Sequence, residues 1–331
     1  MLLEKGDKGR MVKEIQTLLD FHGYWTYHKF TEYFGGATDT AVRNFQKAKR
    51  LTVDGKVGNT TFRYLHKGFD TDEKPEEFVK DTDNKLDMKG SYTTKNGLEI
   101  DRAYLDTDEY VRDYGEIEPL SFFIHHTAGW NNPYNTINHW NKDKRGRVAT
   151  QYCIGGTSIK KGKYGDDKYN GQVVECFPDN YIGWHLGKVG NFEISKMSSA
   201  VEINNFGYAE KKDGKYYNYV GTEVPEEMVC DLGYEFRGHQ YWHKYTDEQI
   251  ESLKQLIIHV HEIYPSILIT KGLPELLANG MDAGEAFEFN EDAYHARQHG
   301  LWNHTSVRSD KYDMFPQPEL VEMLKWVYCN L

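Results

Sequence analysis

Hydrophobic positions change rhythm twice along this chain. Near the start, Val12, Ile15, Leu18 and Leu19 recur at helical spacing, and Gly23 follows where a helix would end. Thr38 is placed to cap a second helix whose apolar face is Ala41, Val42, Phe45 and Ala48. Asp54-Gly55-Lys56-Val57-Gly58 reads as a turn into a third short helix through Phe62 and Leu65. Residues 1–67 are thus expected to form a small all-α three-helix domain. From about His66 to Gly90 the apolar positions thin out and Asp70, Asp72, Glu73, Glu76, Glu77, Asp81 and Asp83 take over around Pro75. Such a stretch buries too little apolar surface to order itself, so residues 68–90 are expected to be a linker.

Beyond residue 91 short strand-like runs alternate with helices. Candidate strands are Leu98–Leu105, Leu120–His125, Gln151–Ile154, Val173–Phe177 and Ala200–Ile203. Thr246-Asp-Glu-Gln249 has the form of a capping box, and Ile250, Leu253, Leu256, Ile257 and Val260 continue one apolar face. A last helix is expected from about Pro318 to Val327. Residues 91–331 therefore read as an α/β domain with a mixed central sheet flanked by helices.

Composition narrows the partners. At 331 residues the chain has room for more than one domain. A formal net charge of -11 argues against nucleic acid, whose binders carry basic patches. It also argues against long-range attraction to anionic wall polymers. No uninterrupted apolar run is long enough to cross a bilayer, so no membrane insertion is expected. The first residues show no apolar core of a secretory signal, so synthesis in the cytoplasm is expected. Cys153, Cys176, Cys230 and Cys329 are scattered without a CxxC pair and are expected to be buried free thiols.

The chemistry concentrates in two segments. Phe122-Phe123-Ile124-His125-His126-Thr127-Ala128-Gly129 is an apolar run ending abruptly in imidazoles, and far downstream lies a polar stretch, expected to be a loop, holding His304, Lys311 and Asp313. Two histidines and an aspartate suit one divalent metal with an open position, and a lysine beside it suits an oxyanion. His126 and Thr127 fit a tight site floor. Glu202 is a charge inside an apolar strand, which calls for a salt-bridge partner or a chemical task. Trp184 and His185, in a compact Gly-Trp-His-Leu-Gly run, look like a site wall. His239, His243, His259, His261, His295 and His299 are not expected to be ligands; His295 and His299 have i,i+4 spacing but no HExxH arrangement.

At these motifs two families come into view. Gly6-Asp-Lys-Gly9, Ile15-Gln16, Leu18-Leu19, Phe34-Gly35, Phe45-Gln46, Asp54-Gly55 and Val57-Gly58 make residues 1–67 resemble the peptidoglycan-binding domain 1 family. Residues 91–331 resemble the zinc-dependent N-acetylmuramoyl-L-alanine amidases found among phage endolysins, autolysins and peptidoglycan recognition proteins. The resemblance rests on Phe123-Ile-His125-His-Thr-Ala, Gln151-Tyr152, Gly183-Trp-His185, Ser198-Ser-Ala-Val-Glu202-Ile and His304…Lys311-Tyr-Asp313, with Cys153 standing where the family has a histidine. It implies one zinc ion held by His125, His304 and Asp313, with Glu202, Lys311 and Tyr152 as catalytic candidates. It also implies His185, His126, Thr127 and Trp184 as substrate-binding candidates. The implied partner is peptidoglycan and the implied action is cell-wall lysis by an endolysin reaching the wall through a separate pore; a monomer is expected. Tyr208–Tyr245 has no counterpart in the minimal family members and reads as a packing cover or an aromatic rim. A recognition module without catalysis, or a zinc peptidase cutting within the stem peptide, remains the alternative.

Overall fold

The structure is a computed structural model that describes residues 3–25, 30–49, 51–66, 86–106, 110, 118–143, 148–159, 167–179, 181–187 and 192–331. The chain divides into two compact units, residues 1–78 with 190–192, and residues 79–189 with 193–331. Residues 67–85, most of the stretch expected to be a linker, lie outside the described residues.

The first unit holds three helices, α1 (Arg10–Phe21), α2 (Gly36–Ala48) and α3 (Asn59–His66). Their spaced apolar residues meet in one core containing Val12, Ile15, Leu19, Phe34, Val42 and Phe45. Burying a ring such as Phe34 or Phe45 is worth roughly 1.5–3 kcal/mol. Gln46 ties α2 to the following turn: its Nε2 donates to Asp54 Oδ1 (2.8 Å) and Lys56 O (2.9 Å), and its Oε1 accepts from Gly55 N (2.9 Å). Gly55 sits there at φ 72, where a side chain would be strained. Thr38 is not the cap. The helix begins at Gly36 after Gly35, and the buried Thr38 hydroxyl accepts from Gln16 Nε2 (2.9 Å), joining α1 to α2.

The second unit is built on a seven-stranded mixed sheet of β1 (Asp87–Thr93), β2 (Glu99–Tyr104), β3 (Ser121–His126), β4 (Tyr152–Ile154), β5 (Val173–Glu175), β6 (Ser198–Ile203) and, from near the end of the chain, Leu301–Asn303. In spatial order it runs β1, β2, β5, β4, β6, β3 and then Leu301–Asn303. β3 is parallel to both its neighbours and buried along its whole length, which is why its sequence does not alternate. Helix Asp247–Ile263 covers one face, its Leu253, Leu256, Ile257 and Val260 sharing a core with Ile124, Tyr152 and Val201. Its capping box is present, with Gln249 N donating to Thr246 Oγ1 and Thr246 N to Gln249 Oε1, both at 3.1 Å. Helix Pro133–Trp140 covers the other face, where Ile137 and Trp140 meet Cys153 and Val174.

The segment Tyr208–Tyr245 forms a sheet of its own: β7 (Tyr208–Lys212), β8 (Lys215–Asn218), β9 (Glu223–Val224), β10 (Val229–Phe236) and β11 (His239–His243), antiparallel in the order β10, β11, β7, β8, β9. The strand Leu301–Asn303 is β12. All four cysteines are free; Cys329 is exposed and the other three are buried.

Glu175 on β5 is buried beside Arg102, whose Nε lies at 3.0 Å. Burial outweighs that cation and pushes the carboxyl up from 4.5 to about 7. A carboxyl that is harder to ionise folded than unfolded stabilises the fold fully below pH 4.5, and this contribution is lost as pH climbs through 7. Denaturant titrations should therefore show Glu175→Gln gaining about 3 kcal/mol relative to the parent between pH 4.5 and pH 8. Parallel pH curves for the two proteins would contradict it.

Candidate metal centre

Strand register lines up one row of side chains at the carboxyl ends of the parallel strands. Glu202 on β6 is directly opposite His125 on β3, and Cys153 on β4 is opposite Glu202. Asn303 on β12 pairs with Ile124, so His304 emerges next to His125. Neighbouring strands lie about 4.8 Å apart, so side chains on one face of such a row are within contact range. The His125 and His304 rings stand with centroids 4.5 Å apart at 68°.

Asp313 arrives through a short return. Asn303 caps a single helical turn, His304–Val307, by accepting from Ser306 N, and Thr305 N donates to Asp313 O (3.0 Å). The polar stretch expected to be a loop thus begins as a helical turn before becoming irregular. Its geometry places Asp313 Oδ2 at 3.2 Å from His125 Nδ1 and 3.0 Å from His304 Nδ1. Among the described residues, His125, His304 and Asp313 form the one buried set of three whose ligand atoms lie within 4.8 Å of one another.

Hydrogen-bond bookkeeping assigns the tautomers. Ser198 Oγ donates its proton to Ile194 O (2.7 Å), so toward His185 Nε2 (2.9 Å) it must accept. His185 Nε2 then carries the proton, and its Nδ1 accepts from His125 Nε2 (3.0 Å). His125 turns its other nitrogen, Nδ1, toward Asp313. His304 Nε2 faces the Leu186 carbonyl at 3.4 Å, and its Nδ1 faces Asp313. Burial and the neighbouring His304 bring His125 down to about 4, so its ring is neutral at pH 7. Burial pushes the Asp313 carboxyl up, yet the two imidazoles, His304 foremost, hold it well below the usual range. Two ring nitrogens and a carboxylate oxygen thus converge on one point, a donor set that fits a divalent metal.

Glu202 is raised well above the ordinary carboxylate range by burial, with Asp313 adding to the rise and Lys311 opposing it. The Lys311 charge is also felt at His125. These two candidates are therefore close to the cluster.

Five other candidates are placed elsewhere or differently. Tyr152 is one residue out of step with Cys153, so it points to the opposite face, into the core under helix Asp247–Ile263. Its hydroxyl is fully buried without a hydrogen-bond partner, and burial, with Asp179 adding to it, holds its pKa well above the usual tyrosine range. His126 likewise turns away from His125; its Nδ1 bonds Tyr245 OH (2.7 Å) and burial lowers it to about 4. Its ring is buried on the face of β3 away from His125. His185 is buried between His125 and Ser198, behind the cluster instead of on its wall. Trp184 is 5% exposed and offers no free face. Thr127 is half-buried and its hydroxyl accepts from Gly129 N (3.1 Å) and Asn205 N (3.3 Å), closing the turn after β3. The support given by Ser198 and by the Leu186 carbonyl was not legible beforehand, because neither backbone acceptors nor relay partners leave a spacing signal.

No curated protein matches the chain. Among solved structures, the SleB N-terminal domain is 37% identical, covering 20% of this chain and 90% of its own, with a TM-score of 0.20. A fused Zn-dependent amidase/peptidase/peptidoglycan-binding domain-containing protein from Clostridium acetobutylicum is 30% identical, covering 23% of this chain, with a TM-score of 0.19, and this chain spans only 31% of that protein. The endolysin N-acetylmuramoyl-L-alanine amidase LysCS from Clostridium intestinale is 16% identical, covering 72% of this chain and 97% of its own, with a TM-score of 0.36. Residues 8–65 match the family described as a putative peptidoglycan binding domain.

Proposed function

We propose that this chain is a zinc-dependent N-acetylmuramoyl-L-alanine amidase that cuts the amide between muramic acid and the first residue of the stem peptide. The observation that carries the reading is the convergence of His125 Nδ1, His304 Nδ1 and Asp313 Oδ2 with Glu202 in the same row. Two imidazoles and one carboxylate suit zinc and leave a fourth position open. Bound there, zinc would supply Lewis-acid chemistry, easing ionisation of a water and polarising a carbonyl. Glu202 takes a proton from the attacking water and returns it to the departing amine, a task suited to a carboxyl of raised proton affinity. The Lys311 ammonium faces the carbonyl oxygen as charge builds on it; removing one such donor typically costs about 10²–10³ in rate. The relay through His185 and Ser198 keeps His125 in the tautomer that presents Nδ1.

That relay makes a prediction of its own. His185→Ala frees His125 to protonate on either nitrogen, and the zinc affinity measured by chelator competition should fall about 10–100-fold. An unchanged affinity would remove His185 from the positioning role.

In this reading residues 1–67 tether the enzyme to the wall, the stretch before β1 connects, and the sheet unit from β1 onward, which takes in Asp87–Gly90 of the expected linker, catalyses. Tethering raises the local substrate concentration without a catalytic contribution. The role that suits such a pairing is an endolysin acting on peptidoglycan after passing a pore made by another protein. Mass spectrometry of digested sacculi tests the bond. Intact glycan strands with new L-alanine amino termini are expected; cuts inside the stem peptide, or undigested sacculi, would overturn the amidase reading.

A further inference from the structure

The segment that delivers Lys311 and Asp313 has few regular backbone partners, yet it is held by one side chain from the inserted sheet. Arg237 sits in the turn between β10 and β11, at φ 51 just before Gly238. Its Nη1 donates to the carbonyl oxygens of Arg308 (3.1 Å), Ser309 (2.8 Å) and Lys311 (2.6 Å). Its Nη2 donates to Thr305 O (3.3 Å) and to Glu288 Oε2 (2.6 Å). The side chain is only 7% exposed, so these bonds form where water competes little. One guanidinium therefore gathers four carbonyls of the span between His304 and Asp313. On the far side of Asp313 the same sheet makes a second hold, its Trp242 ring stacking on Phe315 at 4.7 Å and 16°.

We propose that Arg237 is a positioning residue for the metal centre: the inserted sheet, through this guanidinium, sets where Asp313 and Lys311 stand and so tunes metal affinity. The proposal rests on the zinc reading given above. A planar fork reaching several acceptors explains why arginine is needed, since a lysine ammonium is a compact point charge on a flexible stem and cannot span the same four carbonyls. Bonds to a charged donor in a sheltered site are the stronger kind, so losing them loosens the span rather than merely uncovering it. Glu288 contributes charge to Arg237 from its outer side but touches none of the carbonyls, which makes it a built-in control.

The test titrates the metal-free full chain with zinc against a chromophoric chelator, comparing the parent with Arg237→Lys, Arg237→Ala and Glu288→Gln, and follows thermal unfolding of each. Arg237→Lys and Arg237→Ala should bind zinc about 10–100-fold more weakly. Glu288→Gln should stay within about threefold of the parent. Ethylguanidinium added to Arg237→Ala should recover part of the lost affinity, which a general weakening of the fold would not allow. Should Arg237→Ala fail to fold, Arg237→Lys carries the comparison. Zinc affinity equal to the parent in the arginine variants, with only the melting temperature lowered, overturns the proposal while leaving the zinc reading intact. A parent protein that takes up no zinc overturns both.

Discussion

His304→Ala and Asp313→Ala should each abolish clearing of purified sacculi while leaving sacculus binding unchanged. Each replacement removes one of three groups whose ligand atoms converge within 4.8 Å, and two remaining donors cannot hold a divalent ion against competition from water. Binding should survive because the segment matched to the putative peptidoglycan binding domain, residues 8–65, lies in the other compact unit. Zinc content by mass analysis and turbidity loss of the same preparations check it together. Full clearing by either variant would be fatal to the assigned cluster, whereas loss of both clearing and binding would point to a collapsed fold.

Glu202→Gln should keep its zinc and lose about 10²–10⁴ in turnover. Glutamine matches the shape of the carboxyl but cannot accept a proton, so the loss falls on kcat and not on assembly of the site. The carboxyl must be ionised to take a proton from water, and burial raises its proton affinity. Activity of the parent should therefore rise as pH climbs through its titration, and this rising limb should be missing in Glu202→Gln. A variant with normal turnover, or one that has lost its metal, would take Glu202 out of the proton-transfer step.

Much of this was readable from residue order, for physical reasons that differ between elements. The three N-terminal helices and helix Asp247–Ile263 carry one clean apolar face each, and a 3.6-residue period needs no partner to be seen. β3 announced itself because a strand buried on both faces is apolar throughout. β12 did not, since its Leu301-Trp302-Asn303 run is flanked by polar residues and leads straight into a helical turn. The inserted sheet was hidden because its strands are half exposed and mix tyrosine with lysine and glutamate, so it read as an aromatic insertion without architecture.

The candidate site divides along the same line. His125, His304 and Asp313 stood out as residue types that are costly to bury without a partner or a task. Tyr152 and His126 lie on the face of the sheet away from His125, because neighbouring side chains of a strand point to opposite faces and which face is which depends on register. His185 was recognised as near the site but on the wrong side of His125. Arg237, distant in sequence from the span it grips, left no local trace at all.

X-ray absorption at the zinc edge, on protein loaded with one equivalent, reads the ligand set directly. Two imidazole nitrogens and one carboxylate oxygen, with no sulfur although Cys153 stands in the same row, are the expected shell. A sulfur ligand, a shell with fewer than two imidazoles, or no tightly held zinc would contradict it.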